Sequence, residues 1–292
     1  MIRDRFDAEL AAAPGTASAY VGRLTGPPAY ARLADTPHYA ASTMKLAVLA
    51  ALYRAAEDGS LDLDRPVPVR NDFASAAPGA GRFGCDPDYD NDDAVWARVG
   101  GEASLRWLAD RMVTRSSNLA TNVVLGYVGL PAVARAWAAG GARHSVTGRG
   151  IEDFAARERG ITNDVTAADL AALLGAIARG ADEPGGLAGP ASCSAMLSVL
   201  FGQVHREDLA AGLPEGTRIA HKNGWVNGVR HGAGVVFPAD APPYLIVVCT
   251  TVDLDGPDHP DPHAIDAEAC AMLARLSAAA WADRHVLGAD TP

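Results

Sequence analysis

The stretches of this chain that read as β-strand stand at its two ends, and those that read as helix fill the middle. Ala17 to Thr25 and Tyr30 to Asp35, split by Gly26-Pro27-Pro28, form two short strands about a turn. Thr217 to Lys222, Gly228 to Phe237 and Tyr244 to Val252 are again β-rich and separated by turn residues. Five such strands make one sheet only if the chain ends meet. The middle is then an insertion, with a cleft where it borders the sheet. The expected fold is α+β: a five-stranded antiparallel sheet built from both chain ends, flanked by helices, with an inserted all-helical subdomain. All 292 residues form one domain, with a sheet subdomain at 1–41 and 205–292 and a helical one at 42–204.

Between the strands, Ser42 to Asp58 predicts a helix with Leu46, Leu49, Leu52 and Tyr53 on one side and Gly59 as its stop. Ser104 caps a second helix to about Arg115, and Ser116-Ser117-Asn118 interrupts it. Leu119 to Val128 resumes until Gly129, and Pro131 opens a helix ended by Gly140-Gly141. Residues 142–165 read as a polar loop. Thr166 and Asp169 then suggest a reciprocal cap on a helix ending near Gly180, and 190–203 is helical. Residues 2–13 and His263 to Arg284 supply terminal helices.

The formal charge of −10 argues against nucleic acid and anionic membranes as partners, since both need a basic face. Cys85, Cys193, Cys249 and Cys270 form no CxxC pair, and Cys249 reads as a small core residue. The charged start Met1-Ile-Arg-Asp-Arg-Phe-Asp is not a secretory signal, so the expected location is the cytoplasm. A secreted form with its signal removed would read the same way.

Of 25 basic side chains only Lys45 and Lys222 are lysines. Arginine serves a surface as well as lysine does, but only a buried lysine can lose its proton at a working pH. Lys45 follows Ser42 by three residues at a helix start, so both side chains share a face. A serine hydroxyl becomes nucleophilic when a neighbour takes its proton, and a lysine of depressed pKa can do so. The free N–H groups of the helix start suit an oxyanion. At the helix break, the Ser116 hydroxyl can pass a proton and the Asn118 amide can hold a carbonyl; as plain structure, both are ordinary caps. Lys222-Asn223-Gly224-Trp225 ends a strand, where a lysine can face a cleft and glycine admits substrate to the backbone; as plain structure, this is a hairpin with an exposed lysine.

Taken together, Ser42-x-x-Lys45, Ser116-x-Asn118 and Lys222-x-Gly224, in that order, resemble the signature of class A β-lactamases and penicillin-binding proteins. The resemblance spans nearly the whole chain and implies a serine hydrolase acting through an acyl-enzyme. It implies Ser42 as nucleophile, Lys45 as its base, Ser116 as proton relay and Asn118 as the grip on the substrate amide. Lys222 supplies positive potential, and the N–H groups of Ser42 and Trp225 form the oxyanion hole. Arg230 and His231 are candidates for a substrate carboxylate, or else members of a strand ion pair.

The match departs from the family in three places. Ser117 stands where aspartate is usual, and Asn223 where threonine or serine is usual. Glu152 is the candidate for the loop glutamate that activates the deacylating water, but Ala156 holds the place of the asparagine that follows it. Asp86-x-Asp88-x-Asp90 has the spacing of a calcium loop but carries Asn91 for its glycine and Ala97 for its glutamate. Asp258-His259-Pro260-Asp261-Pro262-His263 reads better as a helix cap than as a metal site. No metal or cofactor is expected, and the expected partner is a small-molecule acyl substrate. The leading activity is β-lactam hydrolysis. The alternatives are an esterase, D,D-peptidase or acyl transferase in a cytoplasmic biosynthetic pathway, and a non-catalytic ligand-binding homologue.

Overall fold

The computed structural model describes residues 2–254 and 261–288. Its longer elements are α1 (Ile2–Ala12), β1 (Thr16–Arg23), β2 (Pro28–Arg32), α2 (Lys45–Glu57), α3 (Leu105–Thr114), α4 (Asn118–Val128) and α5 (Leu130–Ala139). They continue with α6 (Ala167–Gly180), α7 (Pro190–Phe201), β3 (Arg218–Val226), β4 (Val229–Phe237), β5 (Tyr244–Thr251) and α8 (Pro262–Ala282). The five long strands form one sheet in the order β3-β4-β5-β1-β2. The chain ends meet where β1 pairs antiparallel with β5, from Thr16↔Thr251 to Arg23↔Tyr244.

Both faces of the sheet are covered, so β5 is apolar on both. Leu245, Val247 and Cys249 join the core shared with the middle helices. Tyr244, Ile246 and Val248 alternate with them and face Phe6 and Leu10 of α1 and Met272, Leu273 and Leu276 of α8. Each such side chain contributes about 1.5–3 kcal/mol by leaving water. Helix α2 is the axis of the helical layer. Its periodicity predicts one apolar face, but every residue from Lys45 to Tyr53 is buried, because helices enclose it on all sides. No single described helix is long and apolar enough to cross a membrane.

Three details differ from expectation. The segment read as a polar loop holds Val146–Thr147, the short helix Phe154–Glu158 and Asn163–Val165, too brief to show periodicity. The inserted region is therefore not purely helical. The reciprocal cap at α6 is half made. Thr166 accepts from the Asp169 N–H, but the Asp169 carboxylate is taken by the N–H groups of Arg143, His144 and Ser145. Finally β3 runs on to Val226, past the lysine at which it was expected to end.

Two buried histidines fasten the segment before Ser42 to the sheet. His38 bonds Ser18 and Thr251 through its two nitrogens, both at 2.8 Å. His231 accepts the Thr250 N–H at Nδ1, so its proton sits on Nε2 and is donated to the Tyr39 carbonyl at 2.9 Å. The rings lie 5.6 Å apart, edge to face. Burial lowers both to about 4, and for His38 the facing His231 adds to the effect. A lowered histidine keeps its stabilising neutral form above its unfolded value of about 6.5 and loses stability as pH falls below that. Between pH 6.5 and 5 each costs up to about 1.4 kcal/mol per pH unit. Urea midpoints should fall across this window in wild type, and the slope should flatten in the His231→Gln variant.

Candidate active site

The site lies where the starts of α2 and α4 meet the edge strand β3. Ser42 sits in the 3₁₀ turn Ala41–Met44 that leads into α2. Ala41 has φ of 44°, a left-handed backbone that turns the chain from the Ala40–Asn163 hydrogen bond into the helix. Lys45 begins α2 and is fully buried. Its Nζ lies 2.7 Å from the Ser116 carbonyl, 3.2 Å from the Ser116 hydroxyl and 3.0 Å from Asn118 Oδ1.

Ser116 holds the break between α3 and α4 with φ of 59° and no exposed surface. The left-handed turn aims its hydroxyl inward, where Lys222 Nζ also reaches it, at 3.1 Å. One hydroxyl thus joins the two lysines of the chain. Burial lowers Lys45 to about 7, against the pull of Asp90, Cys85 and Glu152. Burial, and then the charge of Lys45, push Lys222 well below its usual value.

Ser117 caps α4 by accepting the Ala120 N–H, and its hydroxyl donates to Asp90 Oδ2 at 3.1 Å. Asp90 also accepts the Leu119 N–H at 2.8 Å. The carboxylate missing from position 117 is therefore supplied from across the gap. The segment with calcium-loop spacing has structural partners here. Asp86 caps a 3₁₀ turn, Asp90 binds the start of α4, and the described residues hold no cluster suited to a metal. Of the second metal candidate, Asp258, His259 and Pro260 lie outside the described residues, while Asp261 caps α8 through the His263 N–H.

Glu152 stands in the same cleft. Its Oε2 accepts the Asp86 N–H at 2.7 Å, and its Oε1 lies 3.4 Å from Asn118 Nδ2. Asn118 thus faces Lys45 with its oxygen and Glu152 with its nitrogen. Burial raises the Glu152 carboxyl. Its φ of 64° places it on a left-handed corner. Ala156 is buried and takes no part in holding it.

Sequence reasoning missed what holds that corner. Asn122, one turn beyond Asn118 on α4, accepts the Ile151 N–H and donates to the Ile151 carbonyl, both at 2.8 Å. It also donates to Cys85 Sγ at 3.1 Å. Asp153 ties the other side to Ser75 and Ala76, each at 2.7 Å. The available signal was an amide on the otherwise apolar stretch Leu119–Val128.

On β3, Lys222 also donates to the Asn223 carbonyl at 2.8 Å. Asn223 is buried, with Nδ2 3.3 Å from the His205 carbonyl. Gly224 lies against the backbone of Ser42 and Thr43, where a Cβ would fall 2.9 Å from the Ser42 nitrogen and 3.0 Å from that of Thr43. Trp225 pairs with Arg230. Arg230 turns its N–H and carbonyl to Thr250 on the far side, so this is a non-hydrogen-bonded pair and the Trp225 N–H points out from the sheet edge. Two N–H groups, of Ser42 and Trp225, therefore flank Gly224.

The two carboxylate candidates are otherwise engaged. Arg230 pairs with Glu207 at 2.7 Å, Asp208 at 3.1 Å and Asp266 at 3.4 Å. His231 is wholly buried in the clamp on Tyr39. The structure brings Ser42, Lys45, Ser116, Asn118, Glu152, Lys222, Asn223, Gly224 and Trp225 to one cleft. Arg230 lies against the Trp225 ring, 5.2 Å from its centroid, with its terminal nitrogens taken by carboxylates, and His231 is held in its own network.

The fold, a five-stranded antiparallel sheet with helices, is shared with solved structures of class A β-lactamase and of PBP-A. A model of the beta-lactamase enzyme family matches residues 1–282, and the chain belongs to that family. Among solved structures it is similar to a β-lactamase from Xanthomonas campestris pv. campestris, at 21% identity and TM-score 0.77, covering 96% of each chain. It is also similar to a β-lactamase from Sphaerobacter thermophilus, at 23% identity and TM-score 0.73, covering 100% of this chain and 98% of that one. PBP-A matches at 21% identity and TM-score 0.76, over 96% of this chain and 94% of that one. No curated protein matches.

Asn122→Ala should cost about 1–3 kcal/mol, because it strands the Ile151 N–H and carbonyl. It should also slow release of an acyl group more than its formation, measured by thermal unfolding and by single-turnover kinetics on one preparation. Gly224→Val should lower the acylation rate at least tenfold by forcing the two N–H groups apart.

Proposed function

We propose that the protein is a serine hydrolase that forms an acyl-enzyme on Ser42, with β-lactam hydrolysis as its leading activity. The observation that carries this reading is the Ser116 hydroxyl held between two buried lysine amines. Lys45, poised near neutrality, takes the Ser42 proton as Oγ bonds to the acyl carbon. The oxyanion sits between the N–H groups of Ser42 and Trp225. The bond from carbon to the leaving nitrogen breaks, and the proton reaches that nitrogen through Ser116. Lys222 holds the hydroxyl in place and adds positive potential.

Deacylation reverses these roles around water. Glu152 takes a proton from the water as its oxygen bonds to the acyl carbon. The bond to Ser42 breaks, and its oxygen takes back the proton that Glu152 accepted, so that base and serine return to their starting states. A carboxyl raised by burial is a better base than an exposed one, and the shared Asn118 keeps it beside Lys45. The likeness to PBP-A keeps a second reading open, a peptidase or acyl transferase whose acyl-enzyme persists.

Intact-mass spectrometry with a penicillin and a cephalosporin tests the reading, beside Ser42→Ala and Glu152→Ala. Turnover should need both residues, and Glu152→Ala should accumulate the adduct at least a hundredfold longer. A wild-type adduct as lasting as that of Glu152→Ala would instead establish the second reading. No adduct at all, with ligand still bound by Ser42→Ala, would mark a binding protein. The acylation rate should rise with pH through about 7, because only the unprotonated Lys45 accepts the serine proton. Rapid-quench measurements from pH 5.5 to 8.5 check this sign.

A further inference from the structure

Resting on that acyl-enzyme reading, we propose that the site selects acyl donors with no carboxylate beside the scissile bond, neutral esters and amides. The inference concerns the end of the cleft formed by β3, β4 and the segment 203–208. A carboxylate held there needs a cation with a free donor, and the structure commits the candidates elsewhere.

Arg230 is the nearest arginine on the paired strand, and its side chain is 3% exposed. Its two terminal nitrogens go to Glu207, Asp208 and Asp266. Its Nε is sealed from solvent without a partner, out of reach of a substrate. Three carboxyl groups surround one guanidinium, and even with burial pushing Asp208 toward its neutral form the charge of Arg230 is spent within the cluster. Lys222 spends its donors on Ser116 Oγ, Asn223 O and Asn223 Oδ1. Asn223 replaces a hydroxyl with an amide whose N–H is turned to the His205 carbonyl. Arg206, on the same segment, is exposed, so water screens its charge.

The rest of the rim is acidic or aromatic. Asp86, Asp90 and Glu152 line the opposite wall around Asn118 and α4. Trp225 stacks edge-on with His205 at 4.9 Å, and Tyr89, whose carbonyl holds Asn118, is exposed at the mouth. An anion entering here finds, among the described residues, no buried cation with a free donor, whereas a neutral acyl donor meets rings. Ester cleavage follows the same balance as above, with the alcohol oxygen leaving with the proton relayed by Ser116.

The test is a matched pair, benzylpenicillin and its methyl ester, which share ring and leaving nitrogen. The readout is the second-order rate of adduct formation on Ser42 in the intact full chain. The ester should react at least tenfold faster, and any smaller ratio overturns the proposal. Releasing Arg230 with Glu207→Gln and Asp266→Asn, whose side chains are 47% and 43% exposed, should shift the ratio toward the free acid at least threefold. An unchanged ratio in that variant overturns the assignment to Arg230. Should neither compound nor p-nitrophenyl acetate label Ser42, the acyl-enzyme reading fails and this proposal with it. Labelling by both compounds with the acid preferred sinks the proposal alone.

Discussion

Two amines buried on one hydroxyl are the constraint around which this molecule is built. Lys45 and Lys222 have no exposed surface, and each lies within 3.2 Å of Ser116 Oγ. Burial penalises each charge, and the charge of Lys45 further penalises that of Lys222. Such a pair persists only where every donor finds an acceptor and the surroundings are rigid. Both conditions are met. Carbonyls and amides of Ser116, Asn118 and Asn223 take the donors, and the lysines stand on the most enclosed helix and on a sheet edge backed by four further strands.

Three of the four described non-glycine residues with left-handed backbones cluster at the same point, Leu33 being the fourth. Ala41, Ser116 and Glu152 adopt left-handed backbones, and each is a corner beside or within the site. Residues without that conformational freedom hold it only when their surroundings over-determine it. Here the determinants are specific. Asn163 receives the Ala40 N–H, Asp90 binds the start of α4, and Asn122 grips both polar groups of Ile151. Three corners that would each relax alone are kept by bonds to elements that do not move with them.

The departures from the family pattern have two kinds of consequence. At Ser117 the lost carboxylate is replaced by Asp90, so the helix start keeps an anion in its first turn. At Asn223 nothing is replaced; its amide is turned inward to His205, and Arg230, the carboxylate candidate on the paired strand, is engaged by three acids. The first kind preserves the machinery around Ser116. The second alters the end of the cleft beyond Lys222.

Much of this was legible along the chain. The five strands, the helix starting at Ser42 and the break at Ser116-Ser117-Asn118 follow from local rules, because periodicity, caps and turn residues act over a few positions. The rarity of lysine pointed to Lys45 and Lys222. What the sequence could not determine was set by groups far apart in it. Arg230 meets Glu207, Asp208 and Asp266 only once β4, the segment before β3 and α8 have packed together. Asn122 acquires its role only when Ile151 arrives beside it, and Asp86 through its own N–H, which no side-chain pattern announces. Whether a charged side chain serves a substrate or another residue depends on what burial leaves unpaired, and only the tertiary structure decides that.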